Sequence, residues 1–292
     1  MQSKYAVTAQ TFMDAYKYPH KYAIRPFKIC GNLYYVGNTS VSSHLIDTGD
    51  GLILLDTTFP HTYPLLINSI WELGFSLYDI KYIVHSHGHF DHFGGTVQIA
   101  ALTQAKTFLG AEDAKMFRER PELMLLKDCP YSYLEPFTPD VELKDNDTIP
   151  LGNTTIRAIS TPGHSPGVMS YLFDVTDGNT RRTAAMHGGA GFNTLNLPFL
   201  REYGLDAEGV RGSFIDGITR LEGETVDITL GNHPNQNDTV GKRGRMLANP
   251  SAGNPFIDRT EWPRFLADIK KRFSIMLEEE RTSTLIGLKT QI

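Results

Sequence analysis

The chain has 292 residues, of which 40% are hydrophobic and 21% charged, with 26 glycines and a formal net charge of −5. That length allows one large domain or two small ones and is ample for a buried core. The composition excludes a disordered, collagen-like or coiled-coil chain. With 28 basic against 33 acidic residues, there is no basic excess of the kind that nucleic-acid binders show. Neither a nucleic-acid nor a membrane partner is expected. No run of about 18 apolar residues is present, and the first 22 residues lack an apolar region and a small-residue cleavage site. If Met1 is the natural start, a cytoplasmic protein is expected; a trimmed N-terminus would instead allow a periplasmic or secreted one. Cys30 and Cys129 stand far apart in sequence and read as two reduced thiols.

In chain order, residues 1–27 read as an N-terminal arm with a short helix over Ala9–Tyr16. Strand patterns follow at Phe27–Cys30, Leu33–Val36, Ser43–Asp47 and Leu52–Asp56, separated by glycine-marked turns. This is the pattern of an antiparallel meander. Apolar residues at helical spacing predict a helix over Tyr63–Leu73, ended by Gly74. Ile80–Val84 is a short apolar strand. A helix over Gly95–Leu102, a strand at Thr107–Leu109 and a helix over Ala111–Arg120 come next. The proline-marked stretch Pro121–Pro139 reads as a surface loop. Strands resume at Asp147–Ile149, Thr154–Ser160, Val168–Asp174 and Arg182–His187, the last two joined by the hairpin signal Asp177-Gly178-Asn179. Ile228–Leu230 is another short strand. The region 255–292 ends in a helix with the stripe Trp262, Phe265, Leu266, Ile269, Phe273, Met276 and Leu277, expected to pack on a sheet. No linker divides the chain, so a single domain over 1–292 is expected. Meanders mixed with helices in two successive halves predict an α/β fold, an αββα sandwich with two mixed sheets inside and helices outside.

Four of the ten histidines fall within eight residues, His85-Ser86-His87-Gly88-His89-Phe90-Asp91-His92. Imidazole and carboxylate are ligands that suit zinc. The cluster directly follows the strand Ile80–Val84, where a loop can fold its side chains around one point. His87 and His89 alternate, so an extended backbone sends both the same way. So many unpartnered polar side chains in so short a segment would be costly unless they bind something. Four ligands from one loop cannot close two tetrahedral sites, so distant ones are needed. His164, in the rigid loop Thr161-Pro162-Gly163-His164-Ser165-Pro166-Gly167, and His233, directly after Ile228–Leu230, both sit at strand ends. His20, His44 and His61 read as ordinary packed or surface histidines.

With these residues in place, the sequence resembles the metallo-β-lactamase superfamily. His87, His89, Asp91 and His92 meet its H-x-H-x-D-H signature. His164 lies in a T-P-G-H-x-x-G stretch, and His233 and Asp56 match the other family positions. After the strand that follows His164, glyoxalase II-like members carry a bridging aspartate and other members a cysteine. Here that stretch is Ala184-Ala185-Met186-His187-Gly188-Gly189-Ala190-Gly191, with neither. The resemblance is therefore to the β-lactamase subclass with His87, His89 and His164 on one zinc and Asp91, His92 and His233 on the second. It implies a zinc hydrolase that opens a cyclic amide or ester by a hydroxide held between two metal ions about 3.5–4 Å apart. In that scheme Asp91 is also the catalytic residue that orients the hydroxide. Asp56, His85 and His187 are expected to support the ligands or line the site.

Other readings carry less. A lactonase or other ester or thioester hydrolase of the same fold is favoured by the lack of an export signal. An iron-dependent oxidoreductase or dioxygenase shares part of the ligand set. A nuclease of the superfamily is opposed by the acidic balance and the lack of a large insertion. The substrate is expected to be a small molecule, with Phe90, Tyr131, Tyr133, Phe137, Phe192 and Arg201 as candidates for contacting it or for ordinary packing.

Overall fold

A computed structural model describes residues 17–129 and 134–289, with side chains to residue 283. The helix expected over Ala9–Tyr16 lies outside these residues. Seven strands form one sheet in chain order: β1 (Phe27–Cys30), β2 (Leu33–Tyr35), β3 (His44–Asp47), β4 (Leu52–Leu55), β5 (Ile80–Val84), β6 (Lys106–Gly110) and β7 (Val141–Leu143). The first four strands pair antiparallel, and β4 to β7 run parallel. A second sheet has the order β12-β11-β10-β9-β8, from β8 (Thr148–Leu151), β9 (Thr154–Ser160), β10 (Met169–Asp177), β11 (Thr180–His187) and β12 (Ile228–Gly231). Only β11 and β12 pair parallel in it. Both sheets are thus mixed, as expected.

The helices are α1 (Tyr63–Glu72), α2 (Phe90–Phe93), α3 (Thr96–Thr103), α4 (Ala111–Glu119), α5 (Leu197–Glu202), α6 (Ala207–Leu221), α7 (Thr239–Ala248) and α8 (Glu261–Lys289). Strand alternation explains how they are held. In β4, Ile53 and Leu55 face the second sheet, where they meet Tyr171, Phe173, Ala184 and Met186. Leu52 and Leu54 face outward and pack with Leu66 and Ile70 of α1 and Ile99 of α3. All four side chains are buried, which is why β4 reads as one apolar run rather than an alternation. On the other side, Ile159, Leu172 and Ala185 meet Phe214, Ile218 and Leu221 of α6 and the α8 stripe from Trp262 to Phe273.

The expected hairpin between β10 and β11 closes on Gly178 and Asn179, with Asp177 paired to Thr180. Gly178 takes φ +59°, which only glycine adopts without cost. Cys30 and Cys129 form no disulfide and both are buried. The stretch expected as a loop over Pro121–Pro139 carries two 3₁₀ turns, Pro121–Met124 and Leu126–Asp128, pinned by Leu123, Met124 and Leu125 in a cluster with Phe93 and Phe117. α5, α6 and α7 have no counterpart in the sequence reading. Gly209, Gly212 and Gly217 within α6 weaken its helical signal, and burial of Phe214, Ile218 and Leu221 makes up for it.

Gly110, at the end of β6, marks where two backbones approach too closely for a side chain. A Cβ there would lie 2.0 Å from the Gly167 carbonyl oxygen. Gly110→Ala is expected to lower stability by about 3 kcal/mol, because the strain falls on backbone that cannot rotate away. A urea midpoint equal to that of the unsubstituted protein would contradict this packing account.

Candidate metal centre

The site lies where the parallel strands of the first sheet end, the position at which connecting loops converge. The first of the clustered histidines is not a metal donor. His85 continues β5, its N–H bonding Phe108 O at 3.0 Å. Its Nδ1 meets Phe108 O at 2.8 Å and its Nε2 meets Thr96 Oγ1 at 2.7 Å. Both nitrogens are occupied, so it braces the loop.

His87, His89 and His164 come together, with ring centroids 4.6 Å apart for His87–His89, 4.8 Å for His87–His164 and 4.6 Å for His89–His164. Their donor atoms all lie within 4.8 Å of one another. His89 Nδ1 and His164 Nε2 are 3.1 Å apart. A second group forms around Asp91 Oδ2, which is 3.5 Å from His92 Nε2 and 3.6 Å from His233 Nε2. Those two nitrogens are 3.3 Å from each other. The groups adjoin: the His87 and His92 rings are 4.1 Å apart, and the donor atoms of His87, Asp91 and His92 again fall within 4.8 Å. All six residues named from the sequence are therefore brought to one place.

The backs of the rings are fixed. His87 Nδ1 donates to Gly188 O at 2.8 Å, His164 Nδ1 to Gly191 O at 3.0 Å and His233 Nδ1 to Ser40 O at 2.8 Å. A proton held at Nδ1 leaves Nε2 a bare lone pair. His87 Nε2 is buried with no hydrogen-bond partner. A buried nitrogen of this kind costs about 1–3 kcal/mol unless something coordinates it. This lone pair, two more imidazoles beside it and an adjoining Asp-His-His group make a donor set that fits a divalent cation such as zinc.

Electrostatics agree. Burial, then the neighbouring histidines, hold His87 and His89 well below the usual histidine range. Burial brings His164 down to about 3 and lowers His233 as well. These imidazoles are neutral, the form that ligates. Burial also works against a charge on His92, but the carboxylates of Asp91 and Asp56 outweigh it and raise its pKa. A cation at Nε2 would compete with that proton.

Asp56 orders the second group. It follows β4 with φ +60°, a left-handed conformation costing on the order of 1 kcal/mol for a non-glycine residue. Its carboxylate accepts from Ser86 N and Ser86 Oγ, both at 2.7 Å, and from His92 Nδ1 at 2.8 Å. Burial disfavours its charge, but His92 and these hydrogen bonds prevail and keep its pKa low.

Three supporting features were not found in the sequence. Asp113, in the first turn of α4, accepts from Gly88 N, Ser165 Oγ and Gly167 N, each at 2.6 Å. It thereby ties the His87–His89 loop to the His164 loop. Its only sequence signal was an acid near a helix N-terminus, which is commonplace. Gly188 and Gly191 act through backbone carbonyls. The segment that lacks a bridging carboxylate instead holds two ligand rings from behind.

His187 stands apart from the six. Its Nδ1 accepts from Gly189 N at 3.1 Å, and its ring lies 6.3 Å from that of Phe214 on α6. Phe90 packs against Phe59, Phe137 against His85 and Phe192 against Phe214. Arg201 is exposed, and Tyr131 and Tyr133 lie outside the described residues.

Two histidines away from the ligands carry a pH consequence. Burial lowers both His44 and His187 to about 4. Between pH 6.5 and 4 the unfolded chain binds protons at these positions and the folded chain does not. Their contribution is therefore complete above pH 6.5 and is lost as pH falls toward 4, on the order of 3 kcal/mol for each. The urea midpoint of the metal-free protein is expected to drop steeply from pH 7 to pH 5. A midpoint unchanged over that range would contradict the burial of these rings in neutral form.

Comparison with known proteins agrees with this geometry. The metallo-β-lactamase superfamily pattern matches residues 36–177. The FEZ-1 metallo-β-lactamase of Legionella gormanii superposes with a TM-score of 0.80 at 30% identity, over 89% of this chain and 98% of that one. BJP-1, a subclass B3 metallo-β-lactamase of Bradyrhizobium japonicum, gives 0.78 at 28% identity, over 90% and 97%. The chain belongs to the metallo-β-lactamase superfamily, and its structural neighbours include metallo-β-lactamases, BJP-1 among them of subclass B3. An N-acyl homoserine lactonase of Bacillus thuringiensis is 26% identical over 164 residues, 47% of this chain and 59% of that protein. The chain spans about half the length of such curated relatives. No helix among the described residues is long and apolar enough to cross a membrane.

Proposed function

We propose that the protein is a di-zinc hydrolase that opens the ring of a small cyclic amide or ester. The observation that carries this reading is the pair of adjoining donor groups, in which His87, His92, His164 and His233 are fixed from behind by hydrogen bonds. His87, His89 and His164 would hold one ion; Asp91, His92 and His233 would hold the other. When bound, zinc supplies Lewis acidity toward a carbonyl oxygen and lowers the pKa of water to near neutrality.

The protein's own residues do the rest. The carbonyls of Gly188, Gly191 and Ser40 fix ring orientation and tautomer at His87, His164 and His233. Asp56 does the same for His92. Asp91 directs Oδ2 toward His92 and His233, which leaves its Oδ1 to accept a proton from the attacking water. Asp113 keeps the two ligand loops in register.

The test follows hydrolysis of a chromogenic cephalosporin and of a γ-lactone by zinc-loaded protein, with and without a chelator. Chelator-sensitive opening of either ring is expected. Turnover of the cephalosporin would support a β-lactamase, as the B3 neighbours suggest. Turnover of the lactone alone would support a lactonase, as the matched Bacillus thuringiensis enzymes suggest. Turnover of neither by the zinc-loaded protein would overturn the reading, and iron at the site in place of zinc would favour an oxidoreductase.

A further inference from the structure

Beside the histidine groups lies a cavity of about 300 Å³. His89 and His164 form part of its wall, so its contents reach the proposed metal donors directly. Most of the remaining wall is apolar. Leu123 comes from the 3₁₀ turn Pro121–Met124, Pro162 and Pro166 from the His164 loop, Phe199 from α5, Leu205 from the segment just before α6 and Val210 from its first turn.

The polar groups of the wall do not suit an anion. Among the described residues it contains no lysine or arginine, and its one acidic group is Asp206. Two of its hydroxyls are turned to other partners, Ser165 Oγ to Asp113 at 2.6 Å and Thr194 Oγ1 to His164 O at 2.7 Å. A carboxylate at the far end of an arm entering here would lose its water and face Asp206 with no lysine or arginine in the wall to offset either cost. An alkyl chain would lose only its contact with water, which favours entry.

We propose that this cavity receives an uncharged, apolar arm of the substrate and so sets the substrate class: ring amides or esters carrying such an arm. The proposal rests on the hydrolytic reading of the adjoining centre. At about 30 Å³ for each water-sized group, the cavity holds an arm of up to about ten heavy atoms.

The test uses zinc-loaded protein and γ-lactones bearing straight alkyl arms of about two to ten carbons, each matched with an arm ending in a carboxylate. The kcat/KM is expected to rise about threefold for each methylene until the cavity is full. A terminal carboxylate is expected to lower it at least about tenfold, and Asp206→Asn to narrow that difference. Val210→Trp and, separately, Leu205→Phe are expected to remove the dependence on arm length by filling the space.

A second readout needs no metal and no turnover. Octanamide is expected to bind the metal-free protein saturably by isothermal titration, and Val210→Trp to abolish that binding. If no lactone or cephalosporin is opened, the hydrolytic reading fails, yet the octanamide titration still decides the cavity. A kcat/KM independent of arm length, or octanamide that fails to bind, would overturn the proposal.

Discussion

His89→Ala is expected to lower kcat/KM by about three orders of magnitude, to remove one equivalent of bound zinc and to leave the fold intact. The size of the effect follows from the loss of one of three donors to an ion that contributes several kcal/mol to the transition state. The fold survives because the backbone at this position keeps its bonds: His89 O accepts from His92 N at 2.9 Å and from Phe93 N at 3.3 Å, and neither depends on the imidazole. The side chain makes no cap for α2. Elemental analysis, steady-state kinetics and thermal unfolding of the same preparation check the three parts. Unimpaired turnover with one zinc fewer would count against the assignment of His89.

Asp113→Ala should damage stability and metal affinity together, although Asp113 itself touches no metal donor. Its carboxylate satisfies three buried donors, on Gly88, Ser165 and Gly167. Each left unpaired costs about 1–3 kcal/mol, so a total of about 4 kcal/mol is expected. Burial raises the pKa of Asp113 to about 6 even against these bonds, a sign that the carboxylate is kept there for what it holds. Because it joins the loops that carry His87, His89 and His164, zinc affinity should also fall about 10- to 100-fold, as it does when ligand supports are lost in other metal sites. Asp113→Asn should recover only part of the loss: its amide oxygen can still accept from Gly88 N and Ser165 Oγ, but its N–H₂ would face the N–H of Gly167. Zinc affinity equal to that of the unsubstituted protein would show that Asp113 serves stability alone.

How far each feature could be read from sequence follows from where its information lies. Side chains that chelate or pack announce themselves. The cluster His87, His89, Asp91, His92 has no ordinary reading, and the short runs at β4 and β12 mark strands buried on both faces. His164 and His233 were legible because each sits in a glycine- and proline-marked loop at a strand end. Backbone groups leave no such mark. Nothing in the identity of Gly188 or Gly191 tells that their carbonyls hold His87 and His164. Asp113 looks like any acid in a first helical turn until Gly88 and Gly167 are seen folded against it. α6 is hard to read because its three glycines dilute the helical pattern, and so is the cavity beside His89, since Leu205 just before the helix and Val210 in its first turn supply much of the apolar wall. His187 was expected beside the metals on position alone. Strand alternation places it with Ala185 on the helix-facing side of β11, where it meets Phe214.

The central claim is that six side chains form two metal sites. It is tested most directly by dialysing metal-free protein against zinc and measuring bound metal in each chain by elemental analysis. Two equivalents are predicted for the unsubstituted protein and one fewer for His89→Ala. Binding of no zinc by folded protein, or the same content in both, would contradict it.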